Sequence, residues 1–416
     1  MRLISPSTIK GTVKAPPSKS MTGRALAASL LALGVSEIDR PSACDDSLAV
    51  AGIIETLGAR VERKSDALFV NGVGRTGLGC KGVLDCRESG LSMRMFAPIA
   101  ALAARKTTLT ASGSLWSRPM GMIDALARFS ALGTTKNGFP PVVVEGPMRG
   151  GTALIDASLS SQFLSGLLMA LPLCEGPSIL AVSGLQSAPY VRTTVDLLGH
   201  FGISIGHDRE LKTFSIEGGQ TYRPCRLRVE GDWSGASFLL VAGAIAGSVT
   251  VEGLDCASVQ ADRAILDALS DAGARVETRM LSVTVEARDL RPFVFDAASC
   301  PDLFPPLVAL ASCCAGKSVI HGVGRLTHKE SDRAAALCVE FGRLGVGVRI
   351  DRDAMEVTGG RLSGASVDSH NDHRIAMACA VAALRANESV AISGSACVSK
   401  SYPAFFADLS ALGAGT

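Results

Sequence analysis

The sequence is short of aromatic residues and histidine, and it has almost no net charge. Aromatics make up 5% of its 416 residues, with two Trp and three Tyr. Lys and Arg number 41 against 39 Asp and Glu, a formal charge of +2. So even a balance lacks the broad positive field of a nucleic-acid binder or a basic membrane-surface protein. It leaves room for a basic site inside a neutral protein. Six His in scattered contexts show no metal-ligand spacing, so no metal is expected. The twelve Cys form no CxxC pair, which predicts a reduced, cytoplasmic protein with inert buried thiols. The opening stretch, MRLISPSTIKGTVKAPPSKS, has no apolar signal core. The longest uncharged run covers nineteen residues, 233–251, and changes from a helical to a strand-like pattern near Gly247. It reads as a buried helix feeding a strand, not as a membrane span.

What the chain does have is repetition, the first thing to seek in a long sequence. A helical pattern ends at a Gly, and alternating strand residues follow. This happens at Gly58, Gly133, Gly202, Gly273, Gly345 and Gly413, spaced 68 to 75 residues apart. Glycine accepts the left-handed conformation that ends a helix. Two short strands around a polar turn should follow, as at 61–63 and 68–70. The first half of each repeat also holds a small-residue apolar segment, such as 91–104, 162–173, 237–246, 303–314 and 375–384. Segments apolar nearly all round are buried helices. Six such units exceed a single core. The expected fold is α/β, with two domains of three units each.

Polar and cationic clusters stand at the starts of these apolar helices. In APPSKSMTGR, Ser18 or Ser20 could cap a helix beginning near Met21, with Lys19 and Arg24 at its positive end. In RESGLSMR, Gly90 permits close backbone approach and Arg94 sits near the helix start. Arg118 precedes Pro119 in a loop, and Ser160, Ser161 and Gln162 lead into the next apolar helix. Later, Asp302 stands just ahead of a helix, and HKESDR places Lys329, Glu330 and Arg333 within one helical turn. HNDHR brings Asn371, Asp372, His373 and Arg374 together, and VSKSYP supplies Lys400. Each cluster alone reads equally well as capping or a solvated helix start. Together, parallel buried helices would gather their N-termini at one end of each domain, where cations and macrodipoles attract phosphate or carboxylate groups.

In order along the chain, PSKSxxxRAL, DDS at 45–47, SGLSMR, RPM, SSQF, SAPY at 187–190, EGDWS, PD, KESDR, NDHR and KSYP resemble the 5-enolpyruvylshikimate-3-phosphate synthase family. The resemblance covers essentially the whole chain. It implies the enolpyruvyl transferase fold, six βαβαββ units in two domains, one of residues 17–232 and the other of 1–16 plus 233–416, with the active site in the cleft between them. It implies transfer of the enolpyruvyl group of phosphoenolpyruvate to the 5-hydroxyl of shikimate 3-phosphate, with release of phosphate. No cofactor, metal, nucleic acid or membrane is implied, and a monomer is expected.

Residue by residue, the resemblance assigns Lys19, Ser20, Arg24, Ser160, Ser161, Gln162, Ser187 and Lys329 to shikimate 3-phosphate. It assigns Gly90, Arg94, Arg118, Arg333, His373, Arg374 and Lys400 to phosphoenolpyruvate, with Lys19 and Gln162 shared. The resemblance also makes Asp302, Glu330 and Lys19 the catalytic groups: Asp302, itself a contact of shikimate 3-phosphate, would take the 5-hydroxyl proton, and Glu330 would protonate the enolpyruvyl methylene. Three departures stand out. Glu88-Ser89-Gly90-Leu91 replaces a common Asn-Ala-Gly-Thr, Thr327 falls where an Arg is frequent, and Ala188 replaces a Lys. The UDP-N-acetylglucosamine enolpyruvyl transferases share the fold, but they carry a reactive Cys in a loop that here, at 113–120, has none. A non-catalytic binding protein on the same fold would have no need of Asp302 and Glu330.

Overall fold

The computed structural model describes residues 1–79 and 82–416. The chain forms two compact units, Met1–Ser18 with Glu230–Thr416, and Lys19–Val229. We call the first the terminal unit and the second the central unit. Each has its own hydrophobic core.

Among the described residues there are six small sheets, five of four strands and one of three. One topology recurs. In the first sheet of the central unit, Arg226–Arg228 pairs parallel with Leu33–Asp39, which pairs antiparallel with Ala67–Val73, which pairs antiparallel with Arg60–Lys64. In the first sheet of the terminal unit, Ile9–Lys14 takes the parallel place beside Gly247–Glu252. The three-stranded sheet is completed by Arg2–Ile4, antiparallel to Val390–Ser393.

Each repeat contributes one buried helix. These are Lys19–Leu31, Gly90–Ala100, Gln162–Ala170, Trp233–Ala246, Phe304–Ser312 and His373–Ala383. Trp233–Ala246 is buried at every position and runs directly into the strand Gly247–Glu252, as the sequence pattern predicts. No helix among the described residues is long and apolar enough to cross a membrane. Small residues set the packing distance. A Cβ on Gly166 would stand 2.5 Å from the Met95 carbonyl oxygen, so the second and third helices approach backbone to side-chain-free backbone.

Five of the six repeat glycines adopt positive φ, from 77° at Gly202 to 114° at Gly58. Gly133 does not. In that repeat the amphipathic segment is a 3₁₀ helix, Gly121–Phe129, and Ser130 takes the left-handed turn at φ 59°. Gly133 lies inside the strand Leu132–Lys136, where a Cβ would meet Ile123 Cγ2 at 2.5 Å. Here the glycine is required by packing, not by the cap.

Candidate active site

The helix starts in the terminal unit converge on Asp302. This residue lies in the 3₁₀ turn Pro301–Leu303, which leads into Phe304–Ser312. Its Oδ1 accepts from Arg333 Nη1 at 2.9 Å and from Lys329 Nζ at 3.4 Å, and its Oδ2 accepts from Arg374 Nη2 at 3.1 Å. Arg374 is the second residue of His373–Ala383, whose N-cap Asp372 accepts from the Arg374 amide.

Arg333 is the hub. Its side chain is fully buried, and Nε donates to Asp372 Oδ2 at 3.0 Å while Nη2 donates to Glu330 Oε2 at 2.6 Å. Ser331 Oγ also donates to Asp372. The sequence reading of one helical turn over Lys329–Arg333 is corrected. The helix begins at Arg333 with Asp332 as N-cap, and Lys329 and Glu330 lie in the preceding turn. The chain there brings Glu330 onto Arg333 and Lys329 onto Asp302 instead of spacing them along a helix. Lys400, nearly buried at the end of the 3₁₀ segment Ser395–Lys400, donates from Nζ to the Asn371 carbonyl at 2.7 Å.

This cluster interleaves charges of both signs. Burial alone would raise Asp302, but Arg374, Lys329 and Arg333 override it and hold the carboxyl well below its ordinary range. Burial lowers Lys329, and Asp302 opposes that fall. Arg333 and Arg374 are held protonated by their carboxylates against the effect of burial. Behind them Asp262, buried in the turn Ala261–Ala264, is pushed up to about 6 by burial and by the charge of Asp302.

The central unit assembles a second cluster around Gly90, the first residue of its helix, with Ser89 as N-cap accepting from the Ser92 amide. A Cβ on Gly90 would stand 3.1 Å from Arg118 Nη1, 3.2 Å from Arg94 Nη1 and 3.7 Å from Gln162 Oε1. Gln162 opens the next buried helix and accepts from Arg94 Nη1 at 2.9 Å. Arg94 Nη2 reaches the Pro119 carbonyl. Arg118 Nη2 donates to Ser114 Oγ, and that hydroxyl in turn lies 3.3 Å from Glu88 Oε2. The departure Glu88 therefore meets the Arg118 loop through Ser114.

Lys19 and Ser20 open the first buried helix, which starts two residues earlier than the sequence suggests. Lys19 Nζ pairs with Asp46 Oδ2 at 3.0 Å. Arg24 is buried, with Nε on Thr194 Oγ1 at 2.8 Å, Nη1 on the Ser20 carbonyl and Nη2 on the Tyr190 carbonyl. Burial lowers its pKa to about 10, which leaves it charged at neutral pH. Ser160 Oγ accepts from the Gln162 amide, Ser161 occupies the N-cap position, and Ser187 precedes the helix Ala188–His200.

Sequence reasoning gave no role to Asp46, Asp262, Asp372 or Glu340. Asp46 stands inside the DDS motif and Asp372 inside NDHR. Glu340 had a readable signal, because it shares a helix face with Arg333, Ala336 and Leu337, all buried. Asp262 carried none, since its neighbours in sequence say nothing of Arg374.

Six copies of one α/β repeat, with buried cations at apolar helix starts and carboxylates among them, define an enzyme for group transfer between small anionic substrates. A family model described as EPSP synthase (3-phosphoshikimate 1-carboxyvinyltransferase) matches residues 4–409, and the chain belongs to that family. The curated 3-phosphoshikimate 1-carboxyvinyltransferase of Methanocella arvoryzae is 39% identical over 99% of this chain and 98% of its own. That of Halobacterium salinarum is 39% identical over 99% of both chains, and that of Clostridium perfringens is 35% identical over 99% and 98%. The solved EPSP synthase of Acinetobacter baumannii superposes with a TM-score of 0.81 at 25% identity, covering 99% of this chain and 98% of that one. The chain is an enzyme with 3-phosphoshikimate 1-carboxyvinyltransferase activity.

Proposed function

We propose that groups from both units serve a single addition–elimination between phosphoenolpyruvate and shikimate 3-phosphate. Asp302 accepts the proton of the 5-hydroxyl as its oxygen bonds to C2 of phosphoenolpyruvate, and Glu330 delivers a proton to C3. A tetrahedral intermediate results. C3 then returns a proton to Glu330, the C2–O bond to phosphate breaks, the enol ether re-forms, and the departing phosphate carries off the proton that Asp302 took from the hydroxyl. Cations and a side-chain-free backbone hold the phosphate and carboxylate charges. These are Arg118, Arg94 and Gly90 in the central unit, and Arg333, Arg374, Lys400 and His373 in the terminal unit. Lys19, Ser20, Arg24, Ser160, Ser161, Gln162 and Ser187 hold shikimate 3-phosphate, with Lys329 beside the acid. Lys19 and Gln162 also reach phosphoenolpyruvate.

The observation that carries this reading is the placement of two carboxyl groups, Asp302 and Glu330, on the same buried guanidinium of Arg333. General acid and base are thereby fixed beside the charges that hold a phosphate. Asp302 starts as a weak base, because three cations stabilise its ionised form. An anionic substrate that takes over those cations raises its basicity, so binding itself prepares the base.

We assign a monomer that works in the reducing cytoplasm. Among the described residues every cysteine is free, and burial pushes Cys174 and Cys313 up to about 11. The test of the reaction is phosphate release by the purified chain with shikimate 3-phosphate and phosphoenolpyruvate, with UDP-N-acetylglucosamine as control acceptor. Release with the shikimate substrate alone is expected; release only with the UDP-sugar overturns the reading. Light scattering at assay concentration checks the monomer.

A further inference from the structure

The turn that delivers Asn371, Asp372 and Arg374 to the cationic cluster is held in an unfavourable conformation. His370 and Asn371 have φ of 51° and 55°, two consecutive non-glycine residues in the left-handed region. Non-glycine residues in this region persist only where their surroundings enforce them. The surroundings here are specific. Glu340, on the helix Arg333–Arg343, is a fully buried carboxylate. Its Oε1 accepts from His370 Nε2 at 2.6 Å. Its Oε2 accepts from the Asp368 amide at 3.0 Å and from Arg343 Nη1 at 3.0 Å. Asp368 Oδ1 accepts in turn from the His370 amide at 2.6 Å. One carboxylate thus ties the helix to both the start and the middle of the turn.

What the turn carries is the cluster itself. The Asn371 carbonyl receives Lys400 Nζ, and Asp372 receives Arg333 Nε and caps the helix bearing Arg374. Arg333 opens the very helix on which Glu340 sits two turns later. The turn and the helix are therefore locked together at two places, through Arg333 with Asp372 and through Glu340 with His370. A buried carboxylate with this many donors is costly to leave partly unpaired.

We infer that Glu340 and His370 are positioning residues, which hold the turn 368–372 so that Lys400, Arg333 and Arg374 keep the spacing needed for phosphoenolpyruvate. The inference rests on assigning those three cations to that substrate. Neither residue touches substrate, so the signature is selective loss of one affinity without loss of fold.

The full-length chain is compared with His370→Ala, His370→Gln, Glu340→Gln and, as a control on the assignment, Arg374→Ala. Melting temperature and the Michaelis constants for both substrates are measured. His370→Ala is expected to stay folded, because the ring is partly exposed, and to raise the constant for phosphoenolpyruvate about tenfold, equivalent to about 1.4 kcal/mol. The constant for shikimate 3-phosphate should move by less than about twofold. His370→Gln, which keeps a donor, should recover most of the loss, and Glu340→Gln should show the same selectivity if it folds. Unchanged constants in His370→Ala, equal rises for both substrates, or a lowered melting temperature alone would overturn the inference. If Arg374→Ala itself leaves phosphoenolpyruvate binding unchanged, the assignment falls and the inference with it.

Discussion

Arg374 grips Asp302 twice, with Nη2 donating to the carboxylate at 3.1 Å and Nη1 reaching the carbonyl of the same residue at 3.4 Å. Side chain and backbone of the proposed base are thus both held by one guanidinium before substrate arrives. Asp302→Asn keeps the shape and removes the charge. Turnover should fall by about 10²–10⁴-fold, with far smaller changes in Michaelis constants, as steady-state phosphate release will show. The substitution also has a stability signature. A carboxyl whose folded pKa is lowered contributes stability above its unfolded value, about 3.9, and loses it as pH falls through the folded value. The melting temperature of the parent should drop on acidification below about pH 4, and Asp302→Asn should show a shallower drop.

Glu330 shares Arg333 with Asp302 but is assigned the opposite task. In heavy water, enolpyruvyl transfer through a protonated methyl group washes deuterium into the methylene of the product. Glu330→Gln should reduce that incorporation and the turnover by the same factor, about 10²–10⁴-fold. Normal deuterium uptake in the variant, read by NMR of the product, would move the acid elsewhere.

Gly90 has no room to spare between two guanidinium groups. In Gly90→Ala the new methyl would lie 3.1 Å from Arg118 Nη1 and 3.2 Å from Arg94 Nη1, closer than ordinary packing allows. The cations must shift, and the Michaelis constant for phosphoenolpyruvate should rise roughly tenfold, the scale of one charge-assisted hydrogen bond. Ser161→Ala, at a helix start, should instead raise the constant for shikimate 3-phosphate. Equal effects of both variants on both substrates would contradict the division of the site.

Asp262 offers a prediction of the opposite sign. Its folded pKa, about 6, lies above the ordinary 3.8, so its contribution is fully present below pH 3.8 and is lost as pH rises through 6. Asp262→Asn should therefore stabilise the protein at pH 8, on the order of 1–3 kcal/mol, and do little at pH 4. Melting curves at the two values test it directly.

The repeat, the buried helices and the cationic clusters could be read from the sequence because each follows from a local pattern. Apolar runs with Gly and Ala imply burial on all sides, and Gly58, Gly202, Gly273, Gly345 and Gly413 mark helix ends through their backbone freedom. The exceptions are cases where tertiary packing decides. Gly133 looks like its five counterparts in sequence, yet its role is to clear Ile123. The start at Met21 misjudged a helix that begins at Lys19, because Ser20 can cap a helix or sit inside one. Cations were legible as residue types at helix starts, but their counter-ions were not. Arg333 meets Glu330, Asp302 and Asp372 across 3, 31 and 39 positions of sequence, and only the nearest of these is local.

The strand Ile9–Lys14 has its parallel partner at Gly247–Glu252, and Arg2–Ile4 waits for Val390–Ser393. During synthesis, then, these strands leave the ribosome long before the partners they pair with. At about 5–20 residues per second the delay for Ile9–Lys14 is roughly 10–50 s. Meanwhile Lys19–Val229 can close on its own core as soon as Arg226–Arg228 arrives beside Leu33–Asp39. The order of emergence and the order of folding are thus reversed for the N-terminal segment. Its unpaired edges are polar at Lys10, Thr12 and Lys14, alternating with Ile9 and Val13, which limits what else they can stick to while they wait.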